Sequence, residues 1–169
     1  GNNNAIALTT SSGDITGLAT VNAGSGNVTL NSAGAIADDG STGTVVTGGV
    51  LTADAAGAIE IDSTVASADI STSAAGAVDL DETDGITLTD LDTTDGAITV
   101  DAGGLITATD VVAGGSTGDS VTLSTTTGGA VATLVTGADA VSITADAGDV
   151  TVGALTATAG TLGVTATTG

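Results

Sequence analysis

The sequence predicts an all-β fold, a parallel β-helix (β-solenoid) with about 20 residues per coil and three short strands in each coil. The first observation is a recurring phrase, Gly-Ala followed by an apolar–polar–apolar triplet, at 57–62, 76–81 and 96–101. The second is the period-two alternation of β-branched residues, which is typical of strands. The third is that Gly, Thr and Asp interrupt every apolar stretch before two helical turns could form. Together these features favour stacked short strands over a helical fold.

The core of each coil is predicted from the residues that keep the repeat. Looser copies of the phrase stand at 119–124 and 139–144, so five successive coils can be aligned in steps of 19, 20, 23 and 20 residues. At a strand spacing of about 4.8 Å, each apolar side chain would lie on its counterpart in the next coil. The first core column is Ile59, Val78, Ile98, Val121 and Val141. The second is Ile61, Leu80, Val100, Leu123 and Ile143.

Two further strands complete each coil. Gly and Asp stand between the strand segments, where the corners need sharp bends. The alternative fold is a β-sandwich, but sandwiches rely on longer strands and on aromatic core residues, which this chain lacks. The additional apolar segments are 86–88 with Leu91, 105–109 with 111–112, and 150–152 with 155–157.

Residues 1–169 are interpreted as a single β-solenoid segment with an irregular coil near 37–57. The phrase at 26–31 is a good strand unit, but its first apolar residue lies 31 residues before Ile59, so the register fails between them. Neither 1–10 nor 160–169 shows the polar cap with which natural solenoids cover their ends. The segment is therefore predicted to be part of a longer rod, or a subunit that stacks end to end into a fibre.

Charge and composition restrict the function. The chain has 20 carboxylates and no Lys, Arg or His, which argues against nucleic acid and anionic membrane surfaces as partners. No apolar run approaches the roughly 18 residues of a membrane span, so membrane insertion is not expected. Cationic partners and divalent ions fit the formal net charge of −20. Without His, Cys, Lys or aromatic residues we expect no enzyme, and a polysaccharide-processing β-helix with paired acids is the unfavoured alternative.

Five carboxylates are candidate calcium ligands. Alternation turns the residues between core positions outward, and like charges about 4.8 Å apart repel by about 1 kcal/mol in water. Ca²⁺ accepts six to eight oxygens in loose geometry and is the one cofactor that the sequence favours. The alternative is an acidic face that is only solvated and screened by salt. The repeat stacks Asp62, Asp81 and Asp101 in one column and Glu60 and Asp79 in the next.

The stretch 79–96 contains an Asp-Leu-Asp-x-Thr-Asp-Gly phrase twice. Neither copy is an EF-hand loop, because each has one residue too many before its last Asp and no Glu at loop position 12. In the repeat, Leu80 belongs to the first strand of a coil and Leu91 to the third, so the copies lie on different sides. The acids of this stretch are predicted on the outside and at the corners. The residues predicted to point inward are Leu80, Ile86, Leu88 and Leu91.

Outward Thr-x-Thr pairs offer another alternative. Flat arrays of such pairs resemble those of β-solenoid ice-binding proteins, although threonine is common on any outward strand face. Ice binding is therefore retained as an alternative function. The pairs are Thr87/Thr89 and Thr107/Thr109, which stack one 20-residue step apart, and Thr156/Thr158 and Thr165/Thr167.

Three stretches resemble repeats of the filamentous-haemagglutinin-type bacterial surface proteins: GNVTLNSAGAI (26–36), GAITVDAGGLITAT (96–109) and GDVTVGALTATAG (148–160). Proteins of that type are large secreted adhesins built on right-handed parallel β-helices, and the resemblance covers most of the chain. It implies an extracellular or cell-surface structural protein, either an adhesin stalk or a subunit of a self-assembling surface filament. The expected partners are further copies, end to end or side by side, and a cationic, host or matrix ligand.

Overall fold

A computed structural model describes residues 3–167 of the chain. It shows a parallel β-solenoid of eight coils. One core column runs through all the coils in steps of 19 to 23 residues, which confirms the predicted fold class and repeat. Residues 3–167 contain no helix long and apolar enough to cross a membrane. The strands are β1 (Ile6–Thr9), β2 (Ile15–Leu18), β3 (Val21–Asn22), β4 (Val28–Ser32), β5 (Ile36–Asp38), β6 (Val46–Ala55), β7 (Ile59–Ala75), β8 (Val78–Glu82), β9 (Ile86–Asp95), β10 (Ile98–Ala102), β11 (Ile106–Ala113), β12 (Val121–Thr125), β13 (Ala130–Gly137), β14 (Val141–Ala145), β15 (Val150–Ala157) and β16 (Leu162–Ala166).

Each coil has three faces, and the pattern of burial shows where it bends. In the middle of the solenoid β8 forms the first face, and β9 forms the second and third. Within β9, Thr89 and Asp90 are both exposed between the buried Leu88 and Leu91, so the strand turns a corner there without ending. The three strands predicted for each coil are thus three faces, two of which share one strand.

Stacked aliphatic side chains fill the solenoid. Equivalent residues of successive coils are ladder partners, so Val78 lies between Ile59 and Ile98. Burying one such side chain contributes about 1.5–3 kcal/mol, and no aromatic residue is needed because each coil covers the next. The inward residues predicted for the stretch 79–96 are confirmed, each at most 2% exposed: Leu80, Ile86, Leu88 and Leu91.

The register between 26 and 59 differs from the expected one. Val28 pairs with Leu51, which belongs to the second face, whereas the first-face partner of Ile59 is Ile36. The 31 residues from Val28 to Ile59 therefore separate positions on two different faces. On the first face the step from Ile36 to Ile59 is 23 residues. Within 37–57 the chain leaves the strands in the loop 39–45, and β6, a strand of ten residues, shows no alternation of burial over 47–50.

Candidate functional site

Five carboxylates project from the first face of three neighbouring coils, in the two columns that the repeat predicts. Asp62 pairs with Asp81, and Asp81 pairs with Asp101. Beside them Glu60 pairs with Asp79. We call these five residues the acidic face. In later coils the two columns continue into hydroxyl-bearing residues: Ser124 and Thr144 in one, and Thr99, Thr122 and Ser142 in the other.

A loop within the predicted irregular region turns the acidic face into a cleft, a position that the sequence did not predict. Residues 39–45 link β5 to β6, and with the face they enclose a cleft of about 490 Å³. All five predicted residues line this cleft, together with two further acidic residues, Asp38 and Glu82. The N–H of Asp62 donates to Asp38 Oδ2 at 3.1 Å. Sequence reasoning missed Asp38 because it did not recognise that β5 continues the first face.

Short polar side chains fold the loop. Residues 38–41 form two Asx turns, in which the N–H groups of Gly40 and Ser41 donate to the carboxylates of Asp38 and Asp39 at 2.8 and 3.0 Å. Gly40 has a φ of +71°, a conformation that glycine adopts without strain. At the far end the hydroxyl of Thr44 lies 3.0 and 2.8 Å from threonine hydroxyls of the next two coils. Both ends of the loop are therefore held beside the acidic face.

Burial and mutual repulsion favour the protonated forms of two acids in the cleft. Burial raises the pKa of Asp62 above its ordinary value, and neighbouring carboxylates, Asp38 foremost, raise it further. Burial also raises the pKa of Asp79, with Asp81 the largest contributor among the charged neighbours. The chain has no Lys, Arg or His to offset these charges. The cleft therefore favours any bound species that carries positive charge.

The carboxylates share a face but do not converge on one point. Within residues 3–167, no group of three or more acids is arranged so that it could hold a metal ion. Neighbouring coils present the acids in pairs, such as Asp62 with Asp81. A cation on this face would contact one such pair, with water completing its coordination. Calcium binding therefore stays a prediction.

The acids of the stretch 79–96 were predicted to lie on the outside or at corners, and for one of them this prediction is wrong. Glu82 is 4% exposed and points inward, two residues after the buried Leu80. Its Oε2 accepts hydrogen bonds from Ser63 Oγ at 2.6 Å and from the N–H of Val65 at 3.1 Å. Burial raises the pKa of Glu82 by more than these hydrogen bonds lower it. Alternation continued past Leu80 would have placed Glu82 inside, but its acidic character concealed this.

A second group of carboxylates lies at the bend between the second and third faces. Asp69 pairs with Asp90, and Asp110 occupies the equivalent position in the next coil. Burial raises the pKa of Asp92, and the charges of these three acids raise it further. Asp54 lies one coil earlier and helps to raise the pKa of Asp69, which burial raises most. We call these five residues the corner cluster. The cluster was not predicted from the sequence, because alternation breaks at the bend.

The cleft also bears on the polysaccharide-processing alternative. A glycosidase uses paired carboxyl groups, one of them with a raised pKa, and the cleft contains Asp62 and Asp79 with raised pKa values. The chain has no aromatic or cationic residue with which to hold a sugar. The cleft thus has the paired acids of a glycosidase but no aromatic or cationic side chain that could bind a sugar.

No protein-family model, curated protein or solved structure matches the chain significantly. The likeness to filamentous-haemagglutinin-type repeats accordingly stays an expectation from the sequence.

Proposed function

We propose that this chain is a segment of an extracellular structural rod, an adhesin stalk or a subunit of a surface filament, without catalytic activity. The observation that carries the proposal is the parallel ladder that links all eight coils in one sheet. Hydrogen bonds on both sides of each inner coil make a stiff rod, roughly 35 Å long from the strand spacing. The charge of −20 keeps such rods soluble and apart.

Coil-on-coil stacking is the contact that we propose between rod segments. On β16, the side chains of Leu162 and Val164 are 54% and 47% exposed, although their ladder partners Val141 and Ile143 are buried. Among residues 3–167, β16 has a ladder partner on one side only. A further coil, of a longer chain or of a second copy, would pair with this strand and cover its aliphatic side chains.

Calcium on the acidic face is the proposed link between rods side by side. Ca²⁺ would contact stacked carboxylates such as Asp62 and Asp81 and would neutralise part of the repulsion in the cleft. A second rod could supply further oxygen ligands, since one face presents its acids in pairs. The support is the charge and spacing of the cleft, together with the absence of any Lys or Arg from the chain.

Millimolar calcium is expected to raise the thermal midpoint by about 3–6 °C over a chelated sample, because ligand at tenfold its Kd stabilises by about 1.4 kcal/mol. Calorimetry measures this shift, and electron microscopy separates single rods, end-to-end fibres and side-by-side bundles. The double variant Asp62→Asn/Asp81→Asn should lose most of the effect. The matched control Asp139→Asn/Asp149→Asn, which removes two carboxylates outside the cleft, should keep it. Identical midpoints with calcium and with chelator would exclude the calcium link.

Ice binding is the second candidate, and the hydroxyl columns favour it. After Asp101 the outward positions of the first face are Thr122 and Ser124, and then Ser142 and Thr144. These rows recur about every 4.8 Å, with about 6.7 Å between the columns, so the array is uncharged and regular in two dimensions. The predicted Thr87/Thr107 stack is also present, but Val131 follows it in the next coil.

Thermal hysteresis of ice growth distinguishes this candidate. If the hydroxyl array binds ice, Thr144→Tyr should abolish most of the hysteresis, because a bulky ring prevents flat contact. Thr87→Tyr, on a different face, should leave most of it. A wild-type chain that shows no hysteresis and no change in ice-crystal shape would dismiss ice binding.

A further inference from the structure

The corner cluster combines stacked carboxylates with a buried oxygen that has no partner. Asp69 and Asp90 are ladder partners, and Asp110 follows in the next coil, so these acids are about 4.8 Å apart along the stack. Within the described residues, Asp110 Oδ1 is buried and makes no hydrogen bond. A buried carboxylate oxygen without a donor is unfavourable, and a protonated neighbour would supply the donor.

We propose that the corner cluster is a proton-operated latch between coils: Asp69 and Asp92 take up protons as the pH falls, and they then hydrogen-bond to neighbouring carboxylates of the cluster instead of repelling them. When the protons leave at neutral pH, repulsion between successive coils returns and weakens the solenoid at this bend. The latch is distinct from the cleft, which lies on the first face.

The side chains around the corner cluster include no cation, so protons are the species that neutralises its carboxylates. The packed strands contribute Asp54 from β6, Asp69 from β7, and Asp90 and Asp92 from β9. On the other side of Asp110, β13 presents Leu134, which is uncharged. No Lys, Arg or His exists in the chain, and no acids within residues 3–167 are arranged to hold a metal ion.

The direction of the pH effect follows from linkage. Burial and the neighbouring charges raise the pKa values of Asp69 and Asp92 above their ordinary values. The folded chain therefore binds protons more tightly than the unfolded chain. The stabilisation that this tighter proton binding gives is complete below the ordinary pKa of the two aspartates. It is lost as the pH rises through their raised pKa values. We expect the solenoid to melt at a higher temperature at mildly acidic pH than at pH 7.

Thermal melting between pH 7 and pH 4.5, with chelator present, tests the latch. The wild-type midpoint should rise as the pH falls. Asp92→Asn mimics the neutral acid, so it should raise the midpoint at pH 7 by about 2–4 °C and flatten the pH dependence. Asp110→Asn should act in the same direction. The control Asp149→Asn should keep the wild-type pH dependence, because Asp149 lies outside the cluster.

Two results would overturn the latch. One is an unchanged pH dependence in both Asp92→Asn and Asp110→Asn. The other is a wild-type midpoint at pH 7 that falls when chelator is added and does so less in Asp92→Asn, since a metal ion would then occupy the cluster. Carbon-13 shifts of the aspartate carboxyl groups give an independent readout, and ordinary pKa values for both Asp69 and Asp92 would contradict the proposal.

Discussion

Replacing Gly96 by Ala is expected to destabilise the solenoid by about 3 kcal/mol, at the upper end of the usual cost of overpacking, because the added atom meets rigid backbone. A Cβ at Gly96 would overlap the carbonyl oxygen of Gly76 and lie 2.5 Å from its carbonyl carbon. At Gly76 a Cβ would similarly lie 2.5 Å from the backbone nitrogen of Ala58. In these two copies of the Gly-Ala phrase the backbones of successive coils thus pass too closely for a side chain. In the first copy a Cβ at Gly57 would lie 3.4 Å from the backbone nitrogen of Ala35, which is an ordinary contact.

Gly43→Ala is the matched control for this substitution. A Cβ at Gly43 would meet no atom of residues 3–167 within 4 Å, and the φ of Gly43 lies outside the left-handed region. We expect this variant to stay within about 0.5 kcal/mol of the wild type. Chemical denaturation of the three proteins measures the difference. A Gly96→Ala chain as stable as Gly43→Ala would show that the coils can separate without cost and that the glycine column does not set their spacing.

The first face could be predicted from the sequence because two simple rules determine it. Alternation decides which residues face outward, and the repeat decides which of them stack. For this reason the pairs Asp62–Asp81 and Glu60–Asp79 were identified correctly. Neither rule requires knowledge of the rest of the fold, since ladder partners come from neighbouring coils of nearly constant length.

The remaining features depend on the three-dimensional path of the chain. The alternation at Val28 is as good as that at Ile59, and a local pattern does not say which face a strand belongs to. A better signal was present in Gly34-Ala35-Ile36, which repeats the phrase that precedes Ile59 on the same face. The position of the loop 39–45 beside the acids has no periodic signal, because it depends on Asx turns and on hydroxyl contacts with later coils.

The second large effect is expected at the acid inside the solenoid. Ser63 is fully buried, and its hydroxyl donates to Glu82 Oε2 at 2.6 Å. Ser63→Ala removes this donor from a buried carboxylate, which costs about 1.5–3 kcal/mol at pH 7. Ser71→Ala is the control, because its hydroxyl donates to Asp54 at 2.7 Å on a partly exposed outer surface. We expect the control to cost less than about 1 kcal/mol, since water replaces the lost donor.

The pH dependence of this cost identifies its origin. The pKa of Glu82 is raised in the folded chain, so its contribution to stability is complete below the ordinary value and is lost as the pH rises through the raised pKa. Ser63→Ala should therefore cost more as the pH rises, because the Ser63 hydroxyl favours the charged form of Glu82, and less at acidic pH. In a Glu82→Gln background the cost should shrink, and denaturant melts of the double-mutant cycle measure that coupling. A cost that is the same at both pH values and in both backgrounds would mean that Ser63 acts through packing, and that Glu82 does not depend on its hydroxyl.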